Sequence, residues 1–216
     1  MIKVENVVLP SSEQWLSIIM GTRNPLNSWD RSDSEFTFNS KYPGLGSNDF
    51  DLMMRLSRAV TDHLKFILII VVYEKSTAPR YWLTEFDTYK VGTVSNSTSK
   101  MHRLTYKPFE ISDFSFEHLI CNKSEAFFGS DKVKSLVDNL NQLRNYYLET
   151  KDKHYWYSIL QLLPCSYNQK RTVMLNYEVL ANIYKSRKGH KLDEWKEFCE
   201  WIESLPYSEL ITGKSN

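Results

Sequence analysis

The most apolar stretch of the chain is Phe66-Ile67-Leu68-Ile69-Ile70-Val71-Val72-Tyr73. Because it is continuous and rich in β-branched residues, it is typical of a strand that is buried on both faces. It is 8 residues long, far short of the roughly 20 that a membrane-spanning helix needs. We therefore expect a central strand here and no association with a membrane.

Helical patterns surround this stretch. Apolar residues recur at helical spacing from Leu52 to Leu64, and Pro79 suits the first turn of a following helix. Further helices are predicted in two pieces between Gly129 and Pro164, from Thr172 to Arg187 and from Leu192 to Leu205, with a short strand at Ile2 to Leu9. The pattern predicts an α+β fold, a small mostly antiparallel sheet with a helix-rich surround, in a single domain over residues 1–216.

Composition excludes several classes of function. The 27 Lys and Arg nearly balance the 26 Asp and Glu, giving a formal net charge of +1. Proteins that bind nucleic acid usually carry a basic excess, because phosphate contacts supply most of their affinity. We therefore expect no direct binding of nucleic acid. The N-terminus lacks the pattern of a secretory signal, so the expected location is cytoplasmic.

The cysteines predict neither disulfides nor a metal site. Cys121, Cys165 and Cys199 are odd in number and far apart, which argues against a disulfide framework and against paired thiolates for zinc. The chain also lacks a Gly-rich phosphate loop, a His-Glu-x-x-His motif and a nucleophile elbow. No catalytic residue is identified by a common motif.

The densest polar region comprises residues 84–90 and 96–102. On a helix, Glu85, Thr88 and Tyr89 would share a face and offer hydrogen-bonding groups to the edge of a heterocycle. The hydroxyls of residues 96–99 suit a phosphate or a flavin ring. The same segments are also typical of a solvated turn between two elements.

Histidines and basic residues leave two interpretations open. His63, His102 and His190 are candidates either for helix-end caps or for ligands. The C-terminal third is locally basic at Lys170, Arg171, Arg187, Lys188 and Lys191. These side chains could hold a phosphate or form a solvated helical face.

In their order, these segments resemble the flavin-dependent thymidylate synthases. That family has a helix ending in a His and Phe segment, a buried strand, and then a motif of the type Arg-His-Arg-x-x-Ser-x-Asn-Glu-x-Ser-x-Arg-Tyr. His63-Leu64-Lys65-Phe66 looks like the first element, and Asn96-Ser97-Thr98-Ser99 is similar to the Asn-Glu-x-Ser core, with Met101-His102 in place of Arg-Tyr. Leu162-Leu163-Pro164, Asn176 and Arg187 keep the spacing of the family's later motifs.

The family's Arg-His-Arg triplet is missing from this chain. Counted back from Asn96 it falls on Tyr89-Lys90-Val91, or, with a few extra residues, near Thr84-Glu85-Phe86. Neither register keeps an arginine, and a carboxylate repels a phosphate that a guanidinium binds. We therefore expect a divergent member of the family.

The resemblance implies an enzyme of nucleotide biosynthesis, a flavoprotein that acts as a thymidylate synthase-like methyltransferase on C5 of a pyrimidine deoxynucleotide such as dUMP. It further implies a homotetramer, FAD as cofactor, NADPH as reductant and methylene-tetrahydrofolate as carbon donor, with no protein nucleophile. On the same basis, His63, Asn96, Ser99 and His102 are expected to bind the flavin or folate. Glu85, Tyr89, Asn176 and Arg187 are expected to bind the nucleotide.

Three alternatives remain. The carboxylate of Glu85 would accept a hydrogen bond from an exocyclic amine, which favours a cytosine nucleotide or a changed reaction such as hydroxymethylation. The missing triplet motivates a nucleotide-binding protein without catalysis. Since spaced fragments can arise by chance, the last alternative is a helical protein unrelated to the family.

Overall fold

A computed structural model of the chain describes residues 1–35, 44–59, 65–119 and 130–214. Within these ranges the strands are β1 (Lys3–Val8), β2 (Val71–Pro79), β3 (Val94–Ser97) and β4 (Asn168–Asn176), in the sheet order β1-β2-β4-β3. The sheet is antiparallel. β2 and β4 hold the interior positions and bury alternate residues along their length, as strands with one core-facing side do.

The helices outnumber the strands and confirm the predicted α+β class. They are α1 (Ser12–Arg23), α2 (Ser47–Ser57), α3 (Lys65–Leu68), α4 (Arg80–Phe86), α5 (Lys100–Arg103), α6 (Ser130–Thr150), α7 (Lys153–Leu162), α8 (Tyr177–Arg187), α9 (Asp193–Glu203) and α10 (Glu209–Thr212). None of the helices in the described ranges has the length and apolar character needed to cross a bilayer.

The predicted register of the central strand is wrong. Residues 65–68 form the short helix α3, and β2 begins only at Val71. Phe66 and Ile67 are buried whereas Leu68 and Ile69 are exposed, which is how a helical turn distributes apolar side chains. A continuous apolar run does not distinguish a strand from a buried helix by periodicity alone.

A second correction concerns the helix predicted from Thr172 to Arg187. Its first five residues belong to β4, and α8 starts at Tyr177. Val173 and Leu175 are both fully buried two positions apart, a strand spacing within the apparent helical stripe. β3 was also missed, because all four of its residues are exposed and give no apolar alternation.

The chain divides into two compact units. The first comprises Met1–Lys3, Ser76–Thr88 and Asn96–Arg171, and the second Val4–Lys75, Tyr89–Ser95 and Thr172–Asn216. One buried core cluster of the first unit comprises Leu104, Phe109, Phe114, Phe116, Val133, Val137, Leu140, Ile159 and Leu163. In the second unit Trp15, Tyr177, Trp195 and Phe198 are among the largest fully buried side chains. The single domain stays a prediction.

Gly92 allows the chain to turn closely past the start of α8. Its φ is 80°, and a Cβ atom there would lie 3.0 Å from Val179 Cγ2 and 3.2 Å from Asn176 Nδ2. We expect Gly92→Ala to lower the free energy of unfolding by about 1–3 kcal/mol, since a left-handed backbone and a close contact both oppose the methyl group. Chemical denaturation measures the change.

Gly189→Ala is the matched control for this substitution. A Cβ atom at Gly189 would meet nothing within 4 Å, and its φ is not positive. Its effect should stay within about 0.5 kcal/mol. Equal destabilisation by both substitutions would contradict the conformational role of Gly92.

Candidate functional site

The segment Asn96-Ser97-Thr98-Ser99 passes from β3 to the start of α5 in the first unit. The backbone N–H of Thr98 donates to the carbonyl of Lys170 at 2.9 Å. The Nε2 of Gln169 donates in turn to the Thr98 carbonyl at 2.8 Å. These bonds place the hydroxyls of Thr98 and Ser99 beside the beginning of β4.

Thr98 and Ser99 line a cavity of about 280 Å³, here called the Ser99 cavity. The rest of its lining is Arg103, Tyr106, Lys107, Asp113, Tyr167, Asn168 and Lys170. All of these residues belong to the first unit. The lining combines three cations, two phenol rings and hydroxyl groups with one carboxylate.

Two of the three cations keep their charge available to a ligand. Lys107 Nζ lies 2.8 Å from Asp113 Oδ1, and this hydrogen bond raises the pKa of Lys107 above its ordinary value. The charges of Lys107 and Asp113 therefore neutralise each other. Among the described residues, neither Arg103 nor Lys170 forms an ion pair with a carboxylate.

The two tyrosines give the cavity flat walls. The guanidinium of Arg103 lies 4.7 Å from the ring centroid of Tyr106, within the range of a cation–π interaction. The ring of Tyr167 meets those of Phe109 and Phe114 edge-on, at centroid distances of 6.2 and 5.5 Å. Burial raises the pKa of the Tyr167 phenol, which therefore stays protonated at neutral pH and can donate a hydrogen bond.

The lining suits a phosphorylated ring compound. Guanidinium and ammonium groups bind phosphate oxygens through charge-assisted hydrogen bonds, and tyrosine rings pack against flat heterocycles. A volume of about 280 Å³ is at the lower limit of small-molecule sites. It favours one phosphate and a small ring system over a dinucleotide.

The structure brings two of the predicted nucleotide ligands together in the second unit. Arg187 Nε donates to the hydroxyl of Tyr89 at 2.9 Å. The guanidinium also lies 4.7 Å from the ring centroid of Trp195. Stacking on an aromatic face fixes the orientation of the Arg187 guanidinium. A lysine in its place would lack the planar group that stacks.

The continuous helical face expected for Glu85, Thr88 and Tyr89 does not form. α4 ends at Phe86, and a 3₁₀ turn carries Asp87–Tyr89. The Thr88 hydroxyl donates to the Glu85 carbonyl at 2.8 Å. Glu85 itself is half-buried in the first unit, and its role as a nucleotide ligand stays a prediction.

Asn176 caps α8. Its Oδ1 accepts a hydrogen bond from the Val179 backbone N–H at 2.9 Å. We expect Asn176→Ala to lower the free energy of unfolding by about 1 kcal/mol, since the cap bond is lost, and Asn176→Asp to preserve stability, because aspartate caps equally well. Thermal unfolding of the two variants tests this, and an unchanged Asn176→Ala variant would contradict it.

The other predicted cofactor ligands are only partly described. Asn96 is exposed on β3. His63 and the side chain of His102 lie outside the described residues. The expected roles of these residues in binding a flavin or folate stay predictions.

Sequence reasoning missed most of the Ser99 cavity. Arg103, Tyr106, Lys107 and Tyr167 were not singled out, and Lys170 was grouped with Arg171. The structure separates those two: Arg171 is buried and makes a bidentate ion pair with Asp87, at 2.5 and 3.2 Å. The basic residues Lys100, Arg103 and Lys107, close together in the sequence, were a local signal for a basic surface.

The described ranges contain two free thiols and no cluster of metal-ligating side chains. No group of three or more His, Cys, Asp or Glu side chains there is placed to hold a metal ion. Cys165 is exposed and Cys199 buried, both as free thiols. Burial raises the pKa of Cys199 to about 11, so this thiol stays protonated and unreactive. Cys121 lies outside the described residues.

Solved structures match nearly the whole chain. Thymidylate synthase X (ThyX) from Helicobacter pylori, crystallised with FAD and dUMP, gives a TM-score of 0.66 at 17% identity, covering 98% of this chain and 97% of its own. The chain has the fold of the flavin-dependent thymidylate synthases. A second structure of that enzyme with FAD and dUMP gives a TM-score of 0.64 at 17% identity, covering 98% of each chain.

A third match is the UMP/dUMP methylase PolB from Streptomyces cacaoi, bound with 5-Br dUMP. Its TM-score is 0.61 at 15% identity, and the alignment covers 99% of this chain and 95% of PolB. No protein-family model matches the chain, and no curated protein does. The resemblance inferred from spaced motifs is confirmed for the fold. The alternative of a helical protein with an unrelated fold is wrong.

Proposed function

We propose that this protein is a flavin-dependent enzyme that transfers a one-carbon group to C5 of a pyrimidine deoxynucleotide. The observation that carries the proposal is the Ser99 cavity. A segment similar to the family's Asn-Glu-x-Ser core lines a cationic, aromatic cavity, in a chain whose fold is shared with an enzyme crystallised with FAD and dUMP.

In this proposal Arg103 and Lys170 bind the 5′-phosphate of the nucleotide. Both carry a charge that no carboxylate among the described residues neutralises, and guanidinium and ammonium groups bind phosphate oxygens through charge-assisted hydrogen bonds. The rings of Tyr106 and Tyr167 face the sugar and base. Ser99 is thereby assigned to the nucleotide rather than to the flavin.

In this proposal the Ser99 cavity binds the nucleotide and not the whole of FAD. Its volume of about 280 Å³ is below the roughly 300–1,000 Å³ of sites for drug-sized ligands, which favours a mononucleotide over a dinucleotide. FAD would then extend beyond this cavity, and two similar structures that were crystallised with FAD support FAD as the cofactor. NADPH, methylene-tetrahydrofolate, the homotetramer and the cytoplasmic location follow from the family resemblance and the sequence alone.

An absorbance spectrum tests the flavin. The purified protein should show, or acquire on addition of FAD, a band near about 450 nm. Titration with dUMP should then perturb that band, since the transfer requires the flavin ring to lie against the base of the bound nucleotide. A protein that stays colourless and takes up no added FAD would overturn the flavin part of the proposal.

Product analysis separates the reaction classes. Incubation with dUMP, methylene-tetrahydrofolate and NADPH should yield a product methylated at C5; the methylase among the similar structures supports this class. The alternative based on Glu85 predicts turnover of dCMP or a hydroxymethylated product. Tight binding of dUMP without any turnover would instead favour a nucleotide-binding protein that has lost catalysis.

A further inference from the structure

The segment between α5 and the 3₁₀ turn Ile111–Asp113 forms one wall of the Ser99 cavity. It runs from Thr105 to Phe109 and contributes Tyr106 and Lys107 to the lining. We call it the Tyr106 segment. Phe109 is buried, but Tyr106 is 73% exposed. Burial therefore accounts for the position of one end of the segment and does not explain what holds the ring of Tyr106.

Two side chains of α6 hold the Tyr106 segment at its ends. Asn141 makes a pair of hydrogen bonds with the backbone of Phe109: its Oδ1 accepts from the N–H at 2.7 Å, and its Nδ2 donates to the carbonyl at 2.9 Å. Arg144, about one helical turn further along α6, donates from Nε to the carbonyl of Thr105 at 3.0 Å. Because residues three apart share a helix face, a single face of α6 fixes both ends.

Three further features limit the motion of the Tyr106 segment. Pro108 fixes its own φ angle and restricts the conformation of Lys107 before it. The ammonium of Lys107 lies 2.8 Å from Asp113 Oδ1, and Asp113 Oδ2 accepts from the Glu110 backbone N–H at 3.0 Å. The segment is thus ordered before a ligand arrives, which reduces the conformational entropy that binding must remove.

The bonds from α6 act on a different part of the Ser99 cavity from the proposed phosphate ligands. Arg103 belongs to α5 and Lys170 to β4, so both lie outside the Tyr106 segment. The Tyr106 ring, which is proposed to face the sugar and base, lies within it. Anchoring the segment therefore concerns chiefly the contact with the base.

We propose that Asn141 and Arg144 are positioning residues of the Ser99 cavity. They hold the Tyr106 segment so that the ring of Tyr106 is in place to pack against the base before the nucleotide binds. Neither residue lines the cavity, so each acts through Tyr106 and not by touching the nucleotide. The inference rests on the pyrimidine nucleotide proposed for this cavity.

Calorimetric titration with dUMP and with deoxyribose 5-phosphate tests this role. Asn141→Leu and Arg144→Met should each weaken dUMP binding by about tenfold, because the loosened segment must be ordered again on binding. The affinity for deoxyribose 5-phosphate should fall by less than about threefold, since this ligand lacks the base and binds mainly through Arg103 and Lys170. Equal losses for both ligands would indicate general destabilisation and would overturn the proposal. Circular dichroism verifies that the variants are folded.

Two single variants serve as controls. Arg144→Lys should recover most of the dUMP affinity, because an ammonium group can also donate to the Thr105 carbonyl. Lys134→Gln removes an exposed cation of α6 outside the cavity and should leave dUMP affinity unchanged. The proposal is overturned if Arg144→Lys binds dUMP as weakly as Arg144→Met, or if Lys134→Gln loses as much affinity as Arg144→Met.

A double-mutant cycle with Tyr106→Leu gives a readout that a purely structural role would not change. If Asn141 acts through the ring of Tyr106, Asn141→Leu should lower dUMP affinity in the native background and have little effect in the Tyr106→Leu background. Equal losses in the two backgrounds contradict the proposal.

The native protein separates this inference from the proposed function. If the native protein does not bind dUMP, the proposed function and the inference are both overturned. If the native protein binds dUMP and the Asn141→Leu and Arg144→Met variants bind it equally well, the inference alone is overturned.

Discussion

Asp49→Ala should lower the free energy of unfolding by about 3–5 kcal/mol, because it leaves a buried guanidinium without its counter-charge. Asp49 is 2% exposed. One oxygen accepts from Arg23 Nε at 2.5 Å, and the other accepts from the hydroxyls of Ser32 and Ser34, at 2.7 and 2.5 Å. The loss would be a large part of the 5–15 kcal/mol typical of a domain.

Asp51→Ala is the control for this prediction. Asp51 is an exposed residue of the same helix, so its replacement should change stability by no more than about 0.5 kcal/mol. Urea denaturation of both variants gives the comparison. Similar midpoints for Asp49→Ala and the native protein would show that the buried pair does not hold the second unit together.

Lowering the pH should weaken the same interaction between Asp49 and its partners, and with it the stability of the protein. Burial by itself would raise the pKa of Asp49, but the hydrogen bonds from Ser34 and Ser32 and the pair with Arg23 outweigh it and lower the pKa. The stabilisation is thus present above the unfolded pKa of about 3.9, and it is lost as the pH falls through the lower folded pKa. Urea midpoints from about pH 7 down to pH 3 should fall less steeply for Asp49→Asn than for the native protein.

The double variant Arg103→Gln/Lys170→Gln should weaken binding of dUMP by about 100-fold. Each side chain is proposed to make a charge-assisted hydrogen bond to the phosphate, and each such bond is worth about tenfold or more in affinity. The native affinity should also fall with increasing salt, because surface charges are screened. Equilibrium titration at two ionic strengths measures both effects.

Two single substitutions serve as comparisons for the double variant. Lys107→Gln should cost less than either member of the double variant, since Asp113 already pairs with Lys107. Lys134→Gln changes an exposed residue of α6 outside the cavity and should leave affinity unchanged. If the double variant binds dUMP as the Lys134→Gln variant does, the phosphate does not occupy the Ser99 cavity.

Sequence reasoning succeeded where local pattern determines structure. The long helices α6, α7 and α9 carry apolar residues at helical spacing, and β1 stops before Pro10. It failed for residues 66–70 and 172–176, where apolar content is compatible with either a helix or a strand. In these two segments, burial against residues distant in the sequence decides the conformation. No local sequence pattern reveals that burial.

The candidate site was predictable only in part, for a related reason. The resemblance identified Ser99, but the cavity exists because strand pairing brings Thr98 to Lys170, 72 residues away. No spacing in the sequence links Ser99, Arg103 and Tyr167 to one another. The motif arginines expected at residues 84–91 are absent, and the two cavity cations proposed to bind the phosphate, Arg103 and Lys170, come from α5 and β4 instead.

Tyr167 connects the Ser99 cavity to the interior of the first unit. Its ring lines the cavity and packs against the core cluster that contains Phe109, Phe114 and Leu140. The aromatic rings of Tyr167, Phe109 and Phe114 shift the NMR signals of nearby methyl groups through their ring currents. A small rotation of Tyr167 therefore changes the signals of the methyl groups around it. Methyl NMR signals from the core should therefore report occupancy of the cavity by a colourless ligand, with no probe attached to the protein or to the nucleotide.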